Sequence, residues 1–262
     1  MERIKEALER ARQERGDAPA SPRPAAPTAA ARSVDINYTQ TRTTPVSSGM
    51  LRSHRIIAGL PDGEFTAAYR ILRTQVLQRL KENDWNVLAI TSPGEDEGKT
   101  LTAINLAISL AMEVSYTVLL VDANLRHPSI HEHMNIPAGK GLSEYLLDDI
   151  PLSDLLVHPE NLEQVVILPG GRPVQNSAEL LNSPKMVQLV KELKTRYPSR
   201  IVIFDLPPVL SAADALAFAP YVDAALLVLE EGKTSQEDAR RTVELLDCTN
   251  VIGTVLNKAN RD

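Results

Sequence analysis

The sequence has 262 residues, of which 43% are hydrophobic and 24% are charged, a balance typical of one globular domain with an additional segment. Its single cysteine, Cys248, excludes an internal disulfide, and the net charge of −6 gives no reason to expect a nucleic acid as partner. No apolar run approaches the roughly 18–20 residues of a membrane-spanning helix, and the charged N-terminus lacks the apolar centre of a signal peptide, so we expect a cytoplasmic protein.

The first 50 residues are predicted to be an extension of the domain. Residues 1–15 are rich in Glu, Lys, Arg and Ala, which favours a short helix. Residues 16–33 are dominated by Ala and Pro, which is typical of a flexible, disordered linker, and residues 34–50 are polar and predicted to be extended. Residues 51–262 are predicted to form one domain.

Helical and strand-like patterns alternate through that domain. Helices are predicted near 64–80, 99–112, 142–158, 184–197, 211–219 and 235–247. Apolar, strand-like runs occupy 86–90, 117–121, 164–168, 200–204, 224–229 and 251–256. Near-continuous apolar strands separated by helices predict a doubly wound α/β fold, whose mostly parallel sheet is buried on both faces. Such sheets bind ligands beyond the carboxyl ends of their strands.

A phosphate-binding motif follows the first of these strands. The segment TSPGEDEGKTLT, residues 91–102, ends in Gly98-Lys99-Thr100 and leads into a helix. In this context the loop amides and the helix start are expected to bind phosphate, Lys99 to contact the β- and γ-phosphates, and Thr100 to bind Mg²⁺. The alternative is an ordinary turn with a surface lysine.

Two further strands end in an aspartate. Asp122 follows the run at 117–121, and Asp205 follows the run at 200–204. Either aspartate alone could simply cap a helix. Two acids at strand ends beside a phosphate loop are instead the usual arrangement for holding Mg²⁺.

These motifs resemble the bacterial tyrosine kinases of capsule and exopolysaccharide export. The resemblance covers roughly residues 50–258 and is carried by TSPGEDEGKTLTAINLAISLA, TVLLVDANLRHPSIH and IVIFDLPPVLSAADALAFAPYVDAALLV. The acidic motif that extends from Asp122 to Arg126 sets this family apart from other phosphate-loop ATPases. The resemblance implies a phosphate-loop NTPase fold of the deviant Walker type.

The resemblance also implies ATP with Mg²⁺ as cofactors and transfer of the γ-phosphate to tyrosine. It implies that ATP or ADP contacts Glu97, Gly98, Lys99, Thr100, Leu101, Arg126, Asn257 and Lys258, the last two near the base. It assigns Mg²⁺ to Thr100, Asp122 and Asp205. It assigns catalysis to Lys99, Asp122 and Asp205, with Asp122 activating the tyrosine hydroxyl.

Within the phosphate loop and the acidic motif that begins at Asp122, three positions depart from the family pattern. Glu95 and Asp96 stand where the family has Pro and Gly, and Asn124 replaces a second aspartate. A carboxylate about 6 Å from a phosphate charge repels it by about 0.7 kcal/mol in water and about 3 kcal/mol at an effective dielectric of 20. Side chains facing the phosphates would therefore weaken nucleotide binding, whereas side chains facing solvent would cost little.

The family pattern also bears on assembly and on the acceptor tyrosine. Arg70 and Arg73 match two positions of a subunit-joining helix whose acid is missing here, so they indicate either a homo-oligomer or a solvated helix face. No tyrosine follows Tyr221, so the C-terminal tyrosine cluster of many members is absent. Tyr38 is predicted to be the acceptor, and Tyr197, like the other tyrosines of the domain, a packing residue.

Three functions are consistent with the sequence. The first is an ATP-dependent tyrosine autokinase regulating exopolysaccharide assembly, held at the inner membrane face by a membrane-anchored polysaccharide co-polymerase. The second is a catalytically weakened, nucleotide-binding regulator of the same machine. The third is a partitioning-type ATPase, which is disfavoured because Gly94 occupies the slot of that group's second lysine.

Overall fold

A computed structural model describes residues 42–58, 64–197 and 199–259, all within the unit Ser33–Asp262. The predicted N-terminal helix, the Ala/Pro-rich linker and Tyr38 lie outside the described residues.

One eight-stranded sheet organises the described residues. Its strands are β1 (Arg42–Thr44), β2 (Val87–Thr91), β3 (Thr117–Asp122), β4 (Val157–Pro159), β5 (Val165–Leu168), β6 (Arg200–Asp205), β7 (Ala224–Glu230) and β8 (Asn250–Asn257). Their spatial order is β1-β4-β5-β3-β6-β2-β7-β8, and every neighbouring pair is parallel except β4–β5. The predicted doubly wound, mostly parallel α/β fold is confirmed.

Helices cover both faces of this sheet. They are α1 (Ser48–Ser53), α2 (Glu64–Asn83), α3 (Lys99–Ala111), α4 (Ile130–His133), α5 (Leu142–Asp148), α6 (Ser177–Leu181), α7 (Pro184–Arg196), α8 (Asp214–Phe218) and α9 (Gln236–Leu245). Short 3₁₀ turns occupy Leu152–Asp154 and Ala219–Tyr221. Within the three described stretches, no helix combines the length and the apolar character needed to cross a membrane.

The alternation of side chains along β2 shows why both faces are buried. Leu88 and Ile90 belong to the core cluster that includes α2 and α3. Val87 and Ala89 belong to the opposite cluster, which includes α7. Because successive side chains of a strand point to opposite faces, an uninterrupted apolar strand needs a layer of helices on each side.

The helix predicted over 142–158 is wrong in its second half. Helix α5 ends at Asp148, and the chain continues through the 3₁₀ turn into β4. Asp149 has a φ of 55°, a left-handed conformation that ends a helix, and Pro151 has no amide hydrogen with which to continue one. The extended conformation predicted for 34–50 holds for β1, whereas α1 begins at Ser48.

Candidate functional site

The carboxyl ends of three adjacent strands place the predicted motifs side by side. Strand β6 lies between β3 and β2, so the residues that follow Thr91 are next to the end of β6 at Asp205 and one strand away from the end of β3 at Asp122. Asp122 and Asp205 are direct register partners across β3 and β6. The sheet topology thus brings together three segments that are distant in the sequence.

The phosphate loop turns into α3 through left-handed residues. Gly98 has a φ of 89°, and a Cβ atom there would lie 2.0 Å from Asn257 Nδ2, so any other residue would be strained and would displace the Asn257 side chain. Asp96 has a φ of 60°. Aspartate is among the residues that tolerate this conformation, which explains how it can replace a glycine, at a cost of about 1 kcal/mol.

The three loop carboxylates have different surroundings. Glu97 is buried, with 3% of its surface exposed, and its Oε2 accepts a hydrogen bond from the Gly94 amide at 3.0 Å. Its Oε1 accepts one from the Thr234 hydroxyl. Glu95 and Asp96 are exposed. Glu97 therefore braces the loop, and the two acids that depart from the family pattern face solvent.

A short chain of hydrogen bonds joins the loop to β6. Lys99 Nζ lies 3.5 Å from the Thr100 hydroxyl, which donates to Asp205 Oδ2 at 2.7 Å. Burial raises the pKa of the Asp205 carboxyl, while the charge of Lys99 and the Thr100 hydrogen bond lower it in part. Leu101 follows in the first turn of α3 and is half-buried. The structure thus brings three predicted site residues into one chain of contacts, from Lys99 through Thr100 to Asp205.

Asp122 is fully buried and held by backbone amides. Its Oδ2 accepts from the amides of Ser129 at 2.9 Å and Ile130 at 3.0 Å, and its Oδ1 from the amide of Asn124 at 3.3 Å. The pKa of the Asp122 carboxyl is raised to about 7, chiefly by burial and also by the charge of Asp205, against the lowering effect of the amides. Asp122 therefore caps the start of α4, and it also lies close enough to Asp205 for the two carboxyl groups to interact electrostatically.

Two buried oxygen atoms beside this group lack a hydrogen-bond partner among the described residues. They are Asp205 Oδ1 and Asn124 Oδ1. Unpaired buried oxygens are costly, and hard oxygen ligands are what Mg²⁺ prefers. The residues present therefore fit a magnesium ion, although the described residues hold no cluster of three or more His, Cys, Asp or Glu side chains that could bind a metal.

Arg126 is held by a buried acid in a later segment. Its Nε lies 3.1 Å from Asp214 Oδ2, and the Asp214 side chain is fully buried while that of Arg126 is 38% exposed. The contact joins the segment after β3 to α8, which follows β6. The observed partner of Arg126 is therefore Asp214, and both residues follow strands at the carboxyl end of the sheet.

The end of β8 also contacts the phosphate loop. Asn257 Nδ2 donates to the Glu97 carbonyl at 2.8 Å, and Lys258 Nζ donates to the Asp96 carbonyl at 2.7 Å. The family resemblance implies that both residues lie near the base of the bound nucleotide. Their observed partners are main-chain atoms of the loop.

The sequence is similar to named tyrosine kinases. The tyrosine-protein kinase YwqD of Bacillus subtilis (strain 168) is 35% identical over 191 residues, which are 72% of this chain and 79% of the relative. The chain belongs to the bacterial tyrosine kinase family. The predicted family is confirmed, although no family model matches the sequence.

Another relative of this chain is a longer protein. The succinoglycan biosynthesis transport protein ExoP of Rhizobium meliloti (strain 1021) is 31% identical over 213 residues, which are 80% of this chain and 27% of ExoP. The matched part of this chain therefore corresponds to about a quarter of ExoP.

Solved structures of kinase domains share the fold. The kinase domain of the Escherichia coli tyrosine kinase ETK matches with a TM-score of 0.72 and 27% identity over 84% of this chain and 92% of that one. The VpsO kinase domain matches at 0.67 and 33%, over 75% and 96% of the two chains. The Pyrococcus horikoshii septum site-determining protein MinD, complexed with Mg-ADP, matches at 0.56 and 24% over 68% and 72%, which shows the fold alone.

One residue of the predicted subunit-joining helix is engaged within the chain. On α2, Arg73 donates to the Ser109 carbonyl at 3.1 Å and pairs with Glu113 at 3.1 Å, and its side chain is only 17% exposed. Arg70, one turn earlier, is exposed. Arg73 is therefore a packing residue between α2 and the end of α3.

Sequence reasoning missed the β7–α9 loop. Lys233 Nζ donates to the Glu95 carbonyl at 2.6 Å, and Glu230 Oε2 lies 3.4 Å from Lys233 and 3.0 Å from Lys258. The segment carries no recognisable motif. Only its position in the sheet, where β7 is a neighbour of β2, could have indicated it.

Proposed function

We propose that the chain is an ATP-dependent protein-tyrosine kinase that acts in exopolysaccharide or capsule assembly. The observation that carries this proposal is the contiguous group of Lys99, Thr100 and Asp205, with Asp122 opposite Asp205 in register. The names of its relatives, tyrosine-protein kinases and a succinoglycan biosynthesis transport protein, support the reaction and the pathway.

The proposed binding roles follow from this arrangement. The loop amides and Lys99 would bind the β- and γ-phosphates of ATP. Thr100 and Asp205, whose Oδ1 has no partner among the described residues, would hold Mg²⁺ together with Asp122 or Asn124. Bound Mg²⁺ would neutralise the charge that develops on the phosphates.

Asp122 would act as the proton acceptor. As the tyrosine oxygen bonds to the γ-phosphorus and the bond to ADP breaks, the phenol proton moves to the Asp122 carboxylate. Because its pKa is raised to about 7, the carboxylate is a stronger base than an ordinary aspartate and is still ionised in part at neutral pH. Burial of the side chain excludes water from the transfer.

Labelled ATP·Mg²⁺ tests the proposal directly. Lys99→Ala is expected to lose nucleotide binding measured by calorimetry, while Asp122→Asn retains binding but loses phosphoryl transfer by about 10²–10⁴-fold. Asp148→Asn is the matched control, because Asp148 is a surface acid paired with Arg172. Wild-type transfer by Asp122→Asn would refute the assigned role, and equal binding by Lys99→Ala would refute the site.

One observation favours the second candidate, a nucleotide-binding regulator with weakened catalysis. Asn124 presents a neutral Oδ1, which has no hydrogen-bond partner among the described residues, where the family pattern has an acid. Asn124→Asp is expected to increase Mg²⁺ affinity and the transfer rate if the missing charge limits the reaction. Firm ATP binding by the wild type without phosphotyrosine, with or without a partner segment, would favour the regulator.

The proposed partner is a membrane-anchored polysaccharide co-polymerase. ExoP is named as a transport protein and is much longer than this chain, which covers 27% of it. We place this chain at the cytoplasmic face of the membrane, bound to the co-polymerase and assembled as a homo-oligomer. The likeness to MinD concerns the fold alone and gives the partitioning-type ATPase no separate support.

A further inference from the structure

Three consecutive carbonyls of the phosphate loop are held by one neighbouring surface. The Glu95 carbonyl accepts from Lys233 Nζ, and the next two accept from Lys258 Nζ and Asn257 Nδ2 at 2.7 and 2.8 Å. The Lys233 contact is 2.6 Å. These donors come from the ends of β7 and β8, on the side of β2 away from β6.

This contact fixes the direction of the loop amides. All described peptide bonds are trans, and in a planar trans peptide the N–H points opposite to the C=O. Holding the carbonyls of 95, 96 and 97 on the β7–β8 side therefore turns the amides of 96, 97 and 98 away from that side. Successive amides that point the same way form an anion-binding concavity.

The donors are themselves fixed. Glu230 Oε2 lies 3.4 Å from Lys233 Nζ and 3.0 Å from Lys258 Nζ, so one carboxylate bridges both ammonium groups. The Thr234 hydroxyl accepts from the Glu230 amide at 2.8 Å and donates to Glu97. Gly232, which lies between Glu230 and Thr234 in the sequence, has a φ of 73°, a left-handed conformation that lets the turn after β7 close.

We propose that Lys233 and Lys258, bridged by Glu230, are positioning residues that hold the phosphate loop in its nucleotide-binding conformation. The proposal rests on the proposed nucleotide site and deepens it, because it names what orders the loop. Lys258 is thereby assigned to the loop carbonyls instead of the base.

The same two lysines bear on the loop's extra negative charge. Glu95 and Asp96 have exposed side chains, and the lysine ammonium groups lie on the carbonyls of these same two residues. Together with Glu230, which bridges them, the two lysines leave a net positive charge beside the loop, and this charge offsets part of the repulsion that two added carboxylates exert on a polyanion. The offset should be largest at low salt, where charges are least screened.

Nucleotide affinity tests the proposal first. Lys233→Met and Lys258→Met are each expected to weaken ADP binding by about tenfold, the ratio that corresponds to one charge-assisted hydrogen bond. Lys233→Arg keeps a positive charge and N–H donors at this position, so this variant should retain most of the wild-type affinity for ADP. Lys185→Met is the matched control, since Lys185 also donates to a carbonyl and an acid, those of Tyr145 and Asp149, without contacting the loop. Calorimetry at low and high salt provides the measurement.

Hydrogen exchange in the absence of nucleotide tests the proposal independently. Peptides covering residues 92–102 should exchange faster in Lys233→Met and Lys258→Met than in the wild type or Lys185→Met. Unchanged exchange and unchanged affinity would overturn the positioning role even if the wild type binds ADP well. Faster exchange in a protein that binds no nucleotide would keep the positioning role and refute the proposed nucleotide site instead.

Discussion

At the scale of single residues, Asp122 shows that a structural and a chemical role are compatible. Its carboxylate accepts three backbone hydrogen bonds, which is what a helix-capping aspartate does. It is also fully buried next to Asp205, which raises its pKa. The amides orient the group, and the buried position gives it the basicity that a proton acceptor needs.

This raised pKa predicts how stability depends on pH. The pKa of Asp122 is about 7 in the folded protein and 3.8 ordinarily, so between these values the folded state binds a proton that the unfolded chain has released. The free energy of unfolding therefore falls as pH rises through this range. The Asp122 contribution is complete below the ordinary pKa and is lost above the folded one, by up to about 4 kcal/mol in total.

Asp122→Asn removes this titration. In urea unfolding without Mg²⁺, the loss of stability between about pH 5 and about pH 8 should be smaller in the variant by about 2–3 kcal/mol. Some pH dependence should remain, because burial also raises the pKa of Asp205. Asp148→Asn is the control and should keep the wild-type profile, since its pKa is lowered by Arg172 and it titrates at more acidic pH. Identical profiles for Asp122→Asn and wild type would mean that Asp122 is ionised throughout.

At the scale of elements, one buried amide attaches the segment before α2 to α3. Asn105 Oδ1 accepts from the amides of Ile57 at 2.8 Å and Ala58 at 3.0 Å. Its Nδ2 donates to the carbonyls of Arg55 at 3.2 Å and Leu101 at 3.0 Å. Asn105 thus satisfies backbone groups of a segment without regular structure, against the helix that carries the phosphate loop.

We therefore expect Asn105→Ala to destabilise the fold by about 2–3 kcal/mol, since one buried and one part-buried amide lose their acceptor. Asn83→Ala is the matched control, because Asn83 is exposed and donates only to the Arg79 carbonyl, at 2.9 Å; a change within about 0.5 kcal/mol is expected there. Urea denaturation gives both values. A loss for Asn105→Ala no larger than the control's would show that water replaces the amide at little cost.

Elements also show what could be predicted from the sequence and what could not. Strands β2, β3, β6 and β7 are uninterrupted apolar runs buried on both faces, so their pattern identifies them. Strand β4 has three residues, one of them a proline, and is specified by pairing with β1 and β5, which no local pattern reveals.

The candidate site likewise has residues that could be predicted from the sequence and others that could not. Asp205 was predictable because it ends an apolar strand, and Lys99 and Thr100 because they begin the helix that follows one, positions where nucleotide-binding residues occur. The orientation of Glu95 and Asp96 was not predictable, because it depends on the donors of β7 and β8, more than 130 residues away along the chain. Long-range contacts without a motif require the sheet order to be known.

At the scale of the whole molecule, the tyrosines of the described domain differ in how available they are. Burial raises the pKa of Tyr69. Tyr116, Tyr145 and Tyr221 are half-buried. Tyr197, which was predicted to pack, is 37% exposed at the end of α7, and the centroid of its ring lies 4.2 Å from the Arg200 guanidinium. Tyr197 is therefore the described tyrosine that competes best as a phosphate acceptor.

We nevertheless predict that Tyr38, which lies outside the described residues, is the main acceptor. An acceptor must reach the Asp122 carboxylate of another copy, and the Ala/Pro-rich composition of residues 16–33 predicts a segment that can extend at little ordering cost. Tyr197 lies on the segment that enters β6, at the opposite end of the strand from Asp205, and presenting it would require the end of α7 to unfold locally.

Mass spectrometry after incubation with ATP·Mg²⁺ and a co-polymerase segment should find phosphate on Tyr38. Tyr38→Phe should remove most of the phosphotyrosine, and Tyr197→Phe, the matched control, little. Phosphate on Tyr197 with none on Tyr38 would contradict the prediction and indicate that the end of α7 opens.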